Sequence, residues 1–347
     1  MDKPYVTGWL DTSAGRVPRV SADLTRSDKW GALKAAWSVG RMRYAVDPGI
    51  YAVGNPDRNS AVFVSANYKL SFDTLRRALK GIDGWILVLD TKGINVWCAA
   101  GKGTFGTQEI LNRIAVVRLG EIVDHRSLMV PQLGAPGVAA HEVKRGSGFG
   151  VIYGPVRAPD IRQFMEAGMV AAPGMRLVRF SIRDRLRLVP VEMVMALKYL
   201  VLVAAVFFLL GGLGRGGYSS AQALDAGLRS TVNLLLAYVA GVFLGPVLLP
   251  WLPDRRFSLK GFSAGLAMFI VSFAAGLTGN GPVEIVAWAL LMPAIASFLT
   301  MNFTGSSTYT SLSGVKQEMR MAVPLQIVTG ATGLIAWMVS RFLQRGA

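Results

Sequence analysis

The chain has 347 residues, 52% of them hydrophobic and 17% charged, with a formal net charge of +16 and a mean hydropathy of +0.40. That balance excludes a disordered tail, a collagen-like fibre and most soluble basic proteins. A single cysteine excludes an internal disulfide framework, a four-cysteine zinc site and a self-contained iron–sulfur cluster.

The length suggests two domains, and the two halves differ in composition, placing them at 1–190 and 191–347. No apolar h-region opens the chain, so the first 190 residues are expected to stay in the cytoplasm. Within them, 60–66 and 84–90 are apolar runs suited to buried strands, separated by helical spacing over 72–79 that stops at Gly81. Helical spacing returns over 107–118, where Ile110, Leu111, Ile114 and Val117 share a face. A strand at 127–130, a helix at 137–145, a strand at 150–153, a helix at 159–167 and a last strand at 177–180 follow. Runs without strict alternation imply strands covered on both faces, so an α/β fold with a mostly parallel sheet is expected. Ligands of such sheets gather at the carboxyl ends of the strands. The loops 66–70, 90–106, 131–137 and 153–158 should therefore surround the site.

The second half reads as an all-α transmembrane domain. Five apolar runs, at about 193–213, 231–252, 262–279, 283–303 and 323–343, each approach the roughly 20 residues that cross a bilayer. Ten of the 37 Lys/Arg and four of the 21 Asp/Glu lie after residue 195. Much of the first half's basic surplus sits in 176–187, which reads as a cytoplasmic flank and headgroup anchor. The loops 253–261 and 304–322, the latter with Lys316 and Arg320, should share that side. The Gly-rich segment 211–230 and the turn 278–282 should face outward. Five crossings put the C-terminus outside, against which Arg341 and Arg345 argue mildly. The expectation is a multi-pass protein of the cytoplasmic (inner) membrane, in contact with membrane lipid. Glu284 opens the fourth span and reads as a solvated carboxylate, and Lys198 as a snorkelling side chain. Sparse charge within the spans argues against an ion-coupled carrier. The basic residues are spread or juxtamembrane, with no recognition helix or RNA-binding motif, so nucleic acid is not an expected partner.

One loop holds the only cysteine, in Asp90-Thr-Lys-Gly-Ile-Asn-Val-Trp-Cys-Ala-Ala-Gly-Lys-Gly-Thr-Phe-Gly-Thr107. Read bare, a lone cysteine is most often a small buried hydrophobe. The neighbours open a second reading. Ala99, Ala100 and Gly101 are small, which lets a large flat partner approach the backbone. Trp97 either covers part of that partner or packs in the core, and Lys102 either meets it or is solvated. Gly101, Gly103 and Gly106 suggest a phosphate loop, but the G-x-x-x-x-G-K-S/T order is missing. Asn95 suits a helix N-cap, and Thr104 and Thr107 suit the start of the next helix. Ser65, Asn67 and Gly134 fall on the strand-end loops as candidate contacts. His125 and His141 read as surface or structural histidines.

Asn95-Val-Trp-Cys-Ala-Ala-Gly-Lys102 resembles the N-(V/I)-W-C-A-(A/G)-G-K signature of the HgcA family, the corrinoid proteins of microbial mercury methylation, with no departure. That family is related to the large subunits of corrinoid iron–sulfur proteins. Residues 302–319 look like a segment shared with those subunits, whose four-cysteine cluster domain has no cysteines to match it here. The resemblance implies a corrinoid-binding α/β domain with a cap helix, followed by five transmembrane helices. It makes Cys98 the lower axial ligand to the cobalt of a cobalamin or related corrinoid. Asn95, Val96, Trp97, Ala99, Ala100, Gly101, Lys102 and Thr104, with Ser65, Asn67 and Gly134, are the candidate cofactor contacts. Asp124 and His125 are adjacent and do not form an Asp-x-His-x-x-Gly motif, so a histidine-ligated cobalamin is not expected.

The implied activity is transfer of a methyl group, as a carbanion, from methyl-Co(III) cobalamin to inorganic Hg(II). The implied partners are an HgcB-like ferredoxin with two 4Fe–4S clusters, a methyl donor from a methylfolate pathway, and Hg(II) delivered as a thiolate. Two other readings stay open. One is a membrane-bound methyl carrier of one-carbon metabolism with another acceptor, the other a cobalamin or metal transporter.

Overall fold

The computed structural model describes residues 3–303 and 312–343, which fall into two compact units, Met1–Arg179 and Phe180–Ala347. The first unit carries strands β1 (Val6–Thr12), β2 (Gly15–Val20), β3 (Gly49–Val53), β4 (Val62–Ala66), β5 (Gly84–Leu89), β6 (Ser127–Val130) and β7 (Gly150–Tyr153). Its helices are α1 (Arg26–Ala36), α2 (Lys69–Ala78), α3 (Val96–Lys102), α4 (Thr107–Val116), α5 (Leu119–Ile122), α6 (Ala140–Ser147) and α7 (Ile161–Glu166).

The sheet order is β1-β2-β3-β5-β4-β6-β7. It is mixed but mostly parallel: β4 runs parallel to β5 and β6, β6 to β7 and β2 to β3, while β1 opposes β2 and β3 opposes β5. Every residue of β4 and β5 is buried, and their alternation feeds two cores. Val62, Val64, Ala66, Trp85, Leu87 and Leu89 pack with Ala99, Ala100, Ile110 and Ile114 on one face. Phe63, Ile86 and Val88 pack with Phe72, Leu75, Leu79 and Phe164 on the other. Each fully buried aliphatic side chain contributes about 1.5–3 kcal/mol, which is why these strands show no polar face in the sequence. From β5 the chain passes β4 and enters β6 on its far side. That reversal opens a crevice at the carboxyl ends, spanned by the β5–β6 connection that contains α3.

Two expectations need correction here. Residues 177–180 form no strand: they follow a 3-10 turn at Pro173–Arg176, pair with no neighbouring strand, and Leu177 is exposed. The sequence reading also placed no element before residue 60, where β1, β2, α1 and β3 lie. α1 is tied down by charge. Lys69 Nζ is 2.7 Å from both Asp28 Oδ1 and Asp73 Oδ2. Arg76 meets Asp28 Oδ2 at 2.7 Å and Asp73 Oδ1 at 2.8 Å. All four residues are buried, and two charges of each sign offset the desolvation that a lone ion would suffer.

Burial alone would push the Asp28 carboxyl up, but hydrogen bonds from Lys69, the Thr25 backbone N–H and Arg76 outweigh it and hold the group well below the usual carboxylate range. A depressed folded value stabilises fully above the unfolded value of about 4 and is lost as pH falls below it. Hydrogen exchange in the full-length, detergent-solubilised chain, corrected for intrinsic rates, should therefore show α1 losing protection below about pH 4. Asp28→Asn should abolish that acid limb; an unchanged limb would assign it to other groups.

In the second unit, five helices among the described residues are long and apolar enough to cross a membrane: Ile182–Leu210, Ser220–Val247, Phe257–Ala274, Pro282–Asn302 and Gly314–Leu343. The first opens with a Ser181–Asp184 capping box, so part of the basic run 176–187 forms its first turns. The second begins at Ser220, well before 231, because an Asp225–Arg229 pair at 2.6 Å, spaced i,i+4, lets its charged opening stay helical. Only a short hairpin, Leu213–Gly214 against Gly217–Tyr218, remains of the expected connection 211–230. Glycines of the third helix let its backbone approach the fourth: a Cβ at Gly261 would lie 2.6 Å from Ala296 O, and one at Gly265 2.7 Å from Pro293 Cα.

Glu284 is not solvated. It is buried and paired with Arg341 at 2.6 Å, because the fourth helix begins where the fifth ends. Lys260, assigned to a loop, is also buried, its Nζ donating to Leu249 O at 2.7 Å and Leu252 O at 2.8 Å to cap the turn that ends the second span. Residues 304–311, within both the expected loop 304–322 and the segment 302–319, lie outside the described residues, as does Arg345. Lys316 and Arg320 belong to the fifth helix.

Candidate functional site

The crevice is organised first by Asn67, just beyond β4. Its Oδ1 accepts the backbone N–H of Thr91 at 3.1 Å and of Gly93 at 2.9 Å, with the Thr91 hydroxyl 2.8 Å away. Thr91 is fully buried. Its hydroxyl also lies 2.7 Å from Ile94 O, so one amide oxygen fixes the turn that delivers α3. Asp90 N–H donates to Glu109 Oε1 at 2.8 Å, and Glu109 is paired with Arg113 at 2.6 Å. Lys92, hydrogen-bonded to Asp90, holds the Asp90 carboxyl below its ordinary range.

α3 has only seven residues, too few to persist on propensity alone. Three features hold it. The Asn95 N-cap Oδ1 accepts Cys98 N–H at 3.0 Å, Gly103 ends the helix at φ 80°, and the inner face packs on the sheet. That inner face is Val96, Ala99 and Ala100. The turn Gln132–Gly137 closes on it: a Cβ at Gly137 would lie 2.2 Å from Phe105 O and 3.1 Å from Ala100 Cα, and one at Gly134 2.4 Å from Phe105 Cε1.

The small residues therefore divide. Ala99 and Ala100 pack into the core, whereas at Gly101 and Gly103 an added Cβ meets no atom within 4 Å. Cys98 is half-buried, and Asn95 Nδ2 donates to its Sγ at 3.5 Å. Trp97 is half-buried, and Gly101 and Lys102 are exposed. A partly exposed thiol beside a bare stretch of backbone is open to a large flat partner, and Sγ is the soft donor it would offer.

The other expected residues have structural partners. Ser65 lies inside β4, not on a loop, with its hydroxyl 3.3 Å from Ala66 O. Thr104 Oγ1 sits 3.4 Å from Ala99 O, at the end of α3. Thr107 Oγ1 accepts Ala139 N–H at 2.8 Å, tying α4 to the start of α6. His125 is at the amino end of β6, where Nε2 lies 2.9 Å from Ser60 O. His141 is exposed. No group of three or more His, Cys, Asp or Glu that could hold a metal ion occurs among the described residues. Thr91, Gly93, Phe105, Glu109 and Gly137 were missed; the Asp90-Thr-Lys-Gly93 turn was the signal for the first two.

Residues 37–164 match the family model described as CO dehydrogenase/acetyl-CoA synthase delta subunit. The chain is 31% identical over 123 residues to an acetyl-CoA decarbonylase/synthase complex subunit gamma of Methanopyrus kandleri, covering 35% of this chain and 26% of the relative. The corresponding subunit of Archaeoglobus fulgidus is 32% identical over 123 residues, with the same shares. That of Methanosarcina acetivorans is 32% identical over 130 residues, 36% of this chain and 27% of the relative. The chain thus spans about a quarter of the length of these curated relatives. The stretch that builds the crevice, from before β3 into α7, is similar to a subunit of the CO dehydrogenase/acetyl-CoA synthase system.

Proposed function

We propose that this chain is a membrane-embedded corrinoid methyltransferase, with Cys98 as the lower axial ligand to cobalt and inorganic Hg(II) as the methyl acceptor. The reading is carried by the state of the only cysteine: partly exposed, outside the two cores of its unit, on a helix whose other face is committed to the sheet. Held there, a corrinoid would supply a transferable methyl group, and the Cys98 thiolate, as a strong soft donor, would favour its transfer to an electrophile such as Hg(II). Asn95 holds the backbone and the sulfur of Cys98 together, Asn67 fixes the loop that presents them, and Gly101 leaves the backbone bare where the ring approaches. Similarity to acetyl-CoA decarbonylase/synthase subunits supports corrinoid methyl chemistry, and the eight-residue signature supports mercury.

With one cysteine in the sequence, the chain supplies no cluster ligation of its own. Electrons to regenerate the cofactor would come from a ferredoxin-like partner with two 4Fe–4S clusters. One thiolate engaged on cobalt leaves none for Hg(II), which would arrive on partner or small-molecule thiolates. The methyl group would come from a methylfolate route, and the first unit would face the cytoplasm.

The relatives' names favour a second reading, a methyl carrier with another acceptor. Supplying Hg(II), a thiol and arsenite side by side to the cofactor-loaded chain separates the two. Methylmercury as the dominant product is expected; methylated thiol without methylmercury would replace the acceptor.

A further inference from the structure

α1 has its polarity inverted. Its buried positions are Asp28 and Ala35, with Asp28 held in the four-charge cluster. Its outward positions are Trp30, 60% exposed, Leu33, 45%, and Trp37 just past its end, 52%, followed by Val39, 58%. At roughly 100° per residue, Arg26, Trp30, Leu33 and Trp37 fall in one strip, flanked by Lys29 and Lys34. Segment 26–43 carries Arg26, Lys29, Lys34, Arg41 and Arg43, and its only acid, Asp28, is neutralised inside the fold. Two indoles and a leucine pointing away from their own core form a coherent exposed apolar patch, which marks an interaction surface. The buried ion cluster ensures that this strip cannot simply roll inward.

We propose that this face is an interfacial anchor, laying α1 on the surface of a bilayer that contains anionic phospholipid. Tryptophan is the side chain most at home at headgroup level, where its ring is apolar and its N–H stays wet. Cations flanking such a strip meet phosphate and carboxylate groups at the same depth. Five basic residues against no free acid fit an anionic surface and oppose a basic one. A single amphipathic patch binds a membrane weakly and reversibly and needs a second attachment. This chain has one, since it carries five membrane-length helices.

The test uses the full-length chain in lipid nanodiscs, with a nitroxide on Trp37→Cys or Leu33→Cys in a Cys98→Ser background and Glu121→Cys, an exposed position of α5, as the water-facing control. Power saturation compares collisions with oxygen, which concentrates in lipid, and with a water-soluble nickel chelate. The expected result is oxygen-dominated collisions at 33 and 37 but not at 121 in discs containing phosphatidylglycerol. That dominance should be lost in the Lys29→Gln, Lys34→Gln double variant. Nickel access at 33 and 37 equal to that at 121 overturns the proposal. So does protection that appears only on adding an acidic protein partner, which would make the face a protein-docking surface. Oxygen dominance undiminished in zwitterionic discs and in the lysine variant overturns the anionic-lipid assignment. Hydrogen exchange across β4 and β5 serves as the check that each variant is folded, since the strip's exposed side chains lie outside both cores of the unit.

Discussion

A Cys98→Ala chain should form no detectable methylmercury while remaining folded. Sγ belongs to neither core of its unit, and its one polar contact among the described residues is a 3.5 Å donation from Asn95. Losing so weak a contact costs under about 1 kcal/mol. The effect on the metal is of a different order, because axial ligand identity is the main protein control over the cofactor's electronics. Absorption and EPR spectra of the cobalamin-loaded chain should therefore differ between wild type and Cys98→Ala, while hydrogen exchange of the sheet stays the same. Full activity in the variant would remove the thiolate from the mechanism. A spectral change with retained methyl transfer would keep the cobalt–sulfur bond and discard its role in catalysis.

The second large effect is expected at Asn67, which need not touch the cofactor at all. Asn67→Ala leaves the Thr91 and Gly93 N–H groups buried without their acceptor, at about 1–3 kcal/mol each. The loop 90–95 should lose about 2–5 kcal/mol of local protection, a factor of roughly 30 or more in exchange rate. Corrinoid retention should fall with it, since α3 is too short to form without the turn that delivers it. Asn67→Asp keeps an acceptor oxygen and should recover most of the protection. Unchanged exchange in Asn67→Ala would show that the turn is held by Asp90 and Glu109 instead.

What could be read from the sequence followed from how the signals arise. The runs at 60–66 and 84–90 are strands because both faces are buried, and burial on both faces is what an unbroken apolar run encodes. Asn95 announced the start of α3, since an Asn before small residues is a capping signal that needs no tertiary context. The N-terminal elements were silent for the opposite reason. β1 alternates between half-buried and exposed and draws its stability from pairing with β2. α1 turns its tryptophans outward and its aspartate inward, so its periodicity carries the wrong sign for a core helix. Ala100 and Gly137 form one packing contact, which was silent because a sequence does not show which side of a short helix is covered. Glu284 was misplaced because hydropathy treats an acid at a span's edge as solvated, whereas its partner, Arg341, comes from the opposite end of another helix.

That pair also has a consequence for biogenesis. The side chains of Glu284 and Arg341 are 1% and 2% exposed, and either charge buried without the other would carry an uncompensated desolvation cost. Neither the fourth nor the fifth helix is therefore comfortable as a solitary guest of the lipid. The fourth is synthesised before the fifth, so the Glu284 carboxylate is expected to stay at the wet interface until Arg341 arrives to neutralise it. Insertion of these two helices should thus be a coupled step, in which the fifth neutralises the fourth.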